Sequence, residues 1–320
     1  MSMNTEELVE LVKLESFAPI SEKAFSDSDL ISLLNANLFT QMMPDIVSMR
    51  EDYFLDKKLY TITAGQSEYI LPERCIGSTI KYAYVIDSAG NRTRMTRIQI
   101  DDLGYYDASV SNSFGMYYIR GDKLVLHPSP QMGSSLEVWY LKRPNKLIAT
   151  TSCAKITAQS LAGGQITYTV DTDLSASLVV GSKIDIISAN APNQTYSIDQ
   201  SIVSISSTQI VIASTDMVDA SSSIVSSVGD YICPSKSANF PLIPDDLQTV
   251  LAQMAVVSVL QSLGDNNKLQ VAQGKLNEMR GSVAKLITNR VEAQPPTIVN
   301  RRSIANHSIS SFGNVSIVRT

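Results

Sequence analysis

Residues 243–267 read IPDDLQTVLAQMAVVSVLQSLGDNN, and this stretch decides how the rest of the chain is organised. Proline followed by Asp245 and Asp246 is a favourable helix start, because proline loses no needed N–H there and the acids face the positive end of the helix. Leu247, Val250, Leu251, Met254 and Val257 then form one apolar stripe, while Val256, Val259, Leu260 and Leu263 cover another side. A helix apolar over so much of its circumference is buried on more than one face. Gly264-Asp265-Asn266-Asn267 turns the chain back. Leu269, Ala272, Leu276, Met279, Val283 and Leu286 follow at alternating spacings of three and four, the seam of a helix that packs on a partner helix. Residues 236–292 are therefore expected to form a helical hairpin. Its surplus apolar surface is expected to pack against further copies, through Val256, Val259, Leu260, Leu263, Leu276, Met279 and Val283.

Upstream, residues 1–57 read as helices. Asn4 and Glu7 stand at capping-box spacing before Leu8, Val9, Leu11, Val12 and Leu14. A second helix starts near Ser26–Ser28 and continues through Leu30, Leu33, Leu34, Asn37 and Leu38. Pro44 is expected to interrupt it, with the pattern resuming through Ile46, Val47 and Arg50 to about Leu55. From Lys58 the period changes to two, and residues 58–150 read as antiparallel β with local hairpins. Tyr60 and Ile62 lead into a turn at Ala64–Ser67, and Tyr69 with Leu71 is expected to close a hairpin. Ile80, Tyr82, Tyr84 and Ile86 alternate next, then Tyr117–Arg120, a Gly121-Asp122 turn, Lys123–Leu126 and Leu136–Leu141, with a short helix around Ile98–Tyr106. Residues 151–235 are rich in Ser, Thr, Ala and Ile. Strands at Ile166–Val170, Lys183–Ile187, Ile202–Ser206 and Gln209–Ala213 suggest an inserted small sandwich or barrel. Beyond Pro295-Pro296, residues 293–320 are too polar to fold alone and read as an extended arm. The fold class is α+β.

Several classes of function find no support. Apolar residues make up 44% of the chain and charged residues 18%, with a net charge of −5. Coating nucleic acid needs clustered Lys and Arg, which this balance does not supply. No apolar run reaches the ~18 residues of a membrane span. Glu6, Glu7 and Glu10 do not fit the basic-then-apolar order of a signal peptide, so the chain is expected to be made and kept in a cytosol. Cys75, Cys153 and Cys233 are far apart and odd in number, and are expected to be three reduced thiols. His127 and His307 have no partners arranged for a triad or a metal site. Asp101-Asp102 and Asp245-Asp246 read as helix starts, since sequence neighbours point apart on a helix. Arg120-Gly121-Asp122 reads as a hairpin turn and not as an adhesion tripeptide. Met42, Met43 and Met49 read as core filling, and Arg92, Arg94 and Arg97 as a small solvated basic patch. No catalytic, cofactor-binding or metal-binding residue is expected.

The order of elements resembles the head-to-tail adaptors of tailed bacteriophages, also called connector, tail accessory or head-completion proteins. The resemblance rests on Tyr69-Ile70-Leu71-Pro72, on Tyr118-Ile119-Arg120-Gly121-Asp122-Lys123-Leu124-Val125-Leu126-His127-Pro128, on Val138-Trp139-Tyr140, and on Ile243-Pro244-Asp245-Asp246 opening the helical hairpin. It implies a structural virion protein at the neck, assembled in the host cytoplasm. It also implies a homo-oligomeric ring of typically twelve copies beneath the portal, and contacts with a tail nozzle, fibre or other neck proteins. DNA would at most pass through the lumen, with no membrane, no cofactor and no chemistry. The terminal arm would dock on the portal through Ile304, Ile309, Phe312, Val315 and Ile317, which are spaced for ordering on another surface. Other readings are a stopper or fibre-attachment ring, and a glycan-binding or hydrolytic tail component.

Overall fold

A computed structural model describes residues 3–16, 25–105, 115–130, 134–189, 195–214 and 224–287. Two reciprocal caps start its helices. Before α1 (Thr5–Ser16) the Glu7 amide donates to Asn4 Oδ1 at 2.8 Å and the Asn4 amide donates to Glu7 Oε2 at 2.9 Å. Ser26 and Asp29 do the same for α2 (Asp27–Asn37). Each such cap supplies partners for amides that have none inside the helix.

Pro44 does not interrupt the path as expected. A π-helical turn at Leu38–Met42 widens the helix just ahead of it, and α3 (Met43–Met49) begins with the proline in its first turn, where no N–H is needed. The helix then ends at Met49, and Leu55 already belongs to a strand.

The hairpin forms as α4 (Asp245–Leu263) and α5 (Asn266–Ile287), joined through Gly264 at φ 70°, a left-handed cap that favours glycine. α4 is the centre of a bundle, packed by α1, α2 and α5. This corrects the reading that its second face waits for other copies. Val256, Val259, Leu260, Leu276 and Val283 are all buried within the single chain, together with Leu8, Val12, Leu34, Leu38 and Ile46. Sequence periodicity counts apolar faces but cannot tell which neighbour covers them, and here the N-terminal helices do.

The β region contributes β1 (Leu55–Ile62), β2 (Glu68–Ile70), β3 (Cys75–Ile86), β4 (Arg92–Arg94), β5 (Thr96–Arg97), β6 (Met116–Arg120), β7 (Lys123–His127) and β8 (Ser134–Lys142). They make two four-stranded sheets, ordered β1-β8-β3-β4 and β2-β7-β6-β5. The expected hairpin between Tyr60 and Leu71 is absent. β1 pairs with β8, with Leu55 opposite Leu141 and Ile62 opposite Ser134, while β2 pairs with β7. Alternation reveals that a strand has a buried face but not which strand lies beside it. Here Ile62, Tyr69, Leu71, Leu124, Leu126, Leu136 and Val138 come from both sheets and share one core. The short helix falls at Ile100–Tyr105 as a 3₁₀ turn. Two pairings are parallel, β5 with β6, and β9 (Lys146–Leu147) with a later strand at Ser237–Ala238.

Between those last two strands the chain builds a closed barrel. It contains β10 (Ala154–Ala162), β11 (Gln165–Val170), β12 (Lys183–Ile187), β13 (Thr195–Ile205), β14 (Gln209–Ala213) and β15 (Tyr231–Pro234), in the order β10-β11-β14-β13-β12-β15. Of the two architectures expected for the insert, the barrel is the one formed. Closure removes sheet edges, and the interior is filled by Ile156, Ile166, Tyr168, Ile184, Ile186, Ile202, Ile210, Ile212 and Ile232. β16 (Ser237–Ala238) returns the chain to β9 and so to the helices.

The expectation of three reduced thiols is wrong. Cys153 and Cys233 form a disulfide, with Cα atoms 4.5 Å apart, and Cys75 is free. They lie 80 residues apart in sequence but become neighbours because β10 pairs with β15, setting Ala154 opposite Ile232. The bond closes the base of the barrel.

Candidate assembly surfaces

Two features stand out: the joint that holds the barrel, and a groove in the helical bundle. The joint centres on Arg74, which lies in the turn between Pro72 and β3 and is 5% exposed. Its Nη2 donates to both carboxylate oxygens of Asp185 at 2.8 Å and to Asp199 Oδ1 at 2.9 Å, and its Nη1 donates to Asn145 Oδ1 at 2.8 Å. Asp185, fully buried on β12, also accepts from Asn145 Nδ2 at 2.7 Å, the Asp199 amide at 3.0 Å and the Lys236 amide at 3.0 Å. A buried carboxylate is tolerated only when its charge is paired and its lone pairs are used, and both conditions hold here. Arg74 thus ties the β region to the barrel through two barrel acids.

Asp199 sits at φ 57°, a left-handed conformation that aims its carboxylate back at Arg74. Burial pushes its pKa up, but the hydrogen bond from Ser235 and the charges of Arg74 and Lys183 outweigh it, leaving the carboxyl below the usual carboxylate range. Glu73, on the rim, is also held low, first by its hydrogen bond with Lys236 and then by the charges of Lys236 and Lys183. The joint floors a polar cleft of ≈ 680 Å³ that also takes in Asp56, Lys57, Lys58 and Lys142. Sequence reading missed all of these residues. They are dispersed from Arg74 to Lys236, and the one local signal was an acid inside the apolar run Lys183-Ile184-Asp185-Ile186-Ile187.

The second feature is a largely apolar groove of ≈ 520 Å³ between α1 and α5, floored by α4 and lined by Leu14, Gln253, Val256, Leu260, Val271 and Lys275 among others. Leu14 is 73% and Val271 75% exposed at its rim. Of the residues expected to pack between subunits, Val256 and Leu260 line this groove, and Val259, Leu276 and Val283 lie in the bundle core. Met279 is half-buried against that core, and Leu263 is exposed at the hairpin turn. The expected docking residues Ile304, Ile309, Phe312, Val315 and Ile317 lie outside the described residues.

The remaining motifs settle locally. Gly121, at φ 63°, makes the tight turn between β6 and β7, and Arg120 pairs with Glu68 rather than standing free. Arg92 pairs with Glu137 at 3.1 Å and Arg94 stacks on the Tyr82 ring. Among the described residues no group of three or more His, Cys, Asp or Glu side chains could hold a metal ion, and no helix is long and apolar enough to cross a membrane.

Compared with known proteins, the chain matches no curated sequence. A family model does match, over residues 28–162, which run from the first turn of α2 through both sheets to the end of β10. Three of the four phrases that carry the adaptor resemblance, Tyr69–Pro72, Tyr118–Pro128 and Val138–Tyr140, fall inside that region. The matching model is that of the SU10 adaptor protein, so over this region, somewhat less than half of the chain, the protein is similar to a family of phage head-to-tail adaptors.

Proposed function

We propose that this chain is the repeating subunit of a ring at the neck of a tailed phage particle, sitting between the portal and the tail. The match of the helix-and-sheet region to the adaptor family carries this reading. Twelve copies are proposed, matching a dodecameric portal. Residues 293–320 are proposed as the arm that orders on the portal through Ile304, Ile309, Phe312, Val315 and Ile317. Extended segments that fold on contact can cover a large surface at modest affinity, which suits a joint assembled late. The barrel, joined to the body in part through Arg74, is proposed to face tail components as an attachment platform.

Removing residues from 297 onward tests the arm directly. The truncated chain is expected to keep the melting temperature of the full chain and to lose binding to purified portal rings. Undiminished portal binding would refute the docking role. Electron microscopy of particles separates the neck-ring reading from a stopper or fibre platform by where the density lies.

A further inference from the structure

The sheet β1-β8-β3-β4 buries one face against the second sheet, through Ile62, Ile80, Ala83, Leu136 and Val138, and turns the other outward. Strand register sets what that outer face carries. Lys57 stands opposite Trp139, and Trp139 opposite Tyr82. In the next row Leu59, Glu137, Tyr84 and Arg94 follow one another across all four strands. Side chains two apart on a strand share a face, so both rows belong to one surface. Leu59 is 61% and Tyr82 37% exposed there, and Lys57 and Arg94 are exposed beside them.

The chemistry of this face is one-sided. Lys57 Nζ lies 5.8 Å from the centre of the Trp139 ring, and the Arg94 guanidinium lies 5.2 Å from that of Tyr82. Neither cation has a carboxylate partner among the described residues. The acid in these rows, Glu137, is 3% exposed and already accepts from Trp139 Nε1 at 2.8 Å and from Arg92 at 3.1 Å. A chain of net charge −5 thus turns Lys57, Arg92 and Arg94 outward around a tryptophan and two tyrosines, and hides the carboxylate among them. Tryptophan, tyrosine and arginine dominate protein–protein contacts, because rigid rings bury much area at small entropic cost and a stacked guanidinium keeps its N–H edges free.

We propose that this face docks an acidic segment of another protein, one that alternates carboxylate and apolar side chains. Cations already occupy the rings of Trp139 and Tyr82, so a nucleobase would have to displace them to stack. A carboxylate is instead drawn to the cationic tips and leaves the ring contacts in place. Leu59 adds an apolar contact that a phosphate backbone does not use. Lys57 on β1 and Arg94 on β4 stand three strand spacings apart, about 14 Å, so an extended segment of roughly five residues reaches both. A patch this small holds one segment and not a full standard interface, so binding is expected to be modest and weakened by salt. It does not require the chain to form a ring.

The chain has one tryptophan, so the emission of Trp139 reports on this face directly. The full-length protein is titrated with a synthetic peptide of alternating glutamate and leucine, with its lysine–leucine counterpart, and with oligothymidylate. The acidic peptide is expected to change the emission saturably and the basic peptide to leave it unchanged. Lys57→Glu with Arg94→Glu is expected to keep the melting temperature and to weaken acidic-peptide binding by about tenfold or more, because both ends of the segment then meet like charge. Should that reversal disturb folding, Lys57→Gln with Arg94→Gln is expected to weaken binding several-fold. Lys146→Glu, an exposed reversal on β9, is expected to have no effect. No saturable response to the acidic peptide, or binding indifferent to the paired substitutions, would overturn the proposal. Oligothymidylate binding tighter than the peptide would overturn it in favour of a nucleic-acid surface.

Discussion

The barrel and the helical bundle each bury a continuous apolar cluster, yet only one of them finishes its own surface. The barrel closes strand to strand, fills its interior with isoleucine, and shuts its base with the Cys153–Cys233 disulfide. Its polar joint to the body surrounds Asp185 with partners, and an apolar cluster of Cys153, Ile187, Cys233, Phe240 and Leu242 lies beside it. The bundle stops short. It leaves a largely apolar groove between α1 and α5 with Leu14 and Val271 exposed at its rim, above α4 residues that are themselves buried. A self-contained insert suits a module displayed on a scaffold.

The largest effect that can break this contrast lies at the joint. Arg74→Met leaves Asp185 buried without its charge partner, which is expected to cost about 3–5 kcal/mol by chemical denaturation. Hydrogen exchange should then rise at β12 and β15 and stay slow in α4. An equal loss in α4 would mean that barrel and bundle are not separable units. Next in size, replacing Cys153 and Cys233 by serine is expected to lower stability by roughly 2–4 kcal/mol, because an 80-residue separation is no longer closed in the unfolded chain. A mobility shift between reduced and unreduced gels checks that the bond exists, and identical mobility would remove this difference between the two regions.

Smaller effects sharpen the comparison from the bundle side. Ser26→Ala removes one side of the α2 cap and is expected to cost about 1 kcal/mol, read as faster exchange at the start of α2 with the barrel unaffected. The smallest effect comes from acid. Asp199 has its folded pKa below the ordinary 3.8, so its contribution is complete above that value and is lost as pH falls through it toward the folded value. Its side chain is 24% exposed, and solvent moderates the loss. Acid titration followed by barrel-specific exchange should show loosening only below the ordinary carboxylate range. Loosening near neutral pH would point to another group.

Much of the local structure was legible in the residues. The caps at Asn4 and Ser26, the hairpin around Gly264, the strand positions in the insert and the turn at Gly121 all follow from interactions between residues a few positions apart. The family was legible from short phrases such as Tyr118–Pro128, which fall within the matched region. Pro44 was read too simply, because a π turn four residues earlier removes the clash that proline would create.

By itself the sequence determined which segments become helix or strand, that the insert is all β, and that the chain carries an adaptor's order of elements. Those properties depend on periodicity, capping and turn chemistry, which act over single turns of chain. Only the tertiary structure decided that β1 joins β8, that Cys153 meets Cys233, that Arg74 clamps Asp185, and that α1, α2 and α5 pack around α4. Each of these depends on residues brought together from positions roughly 70 to 260 apart. Hydrophobic pattern specifies that a face must be buried and is silent about its partner.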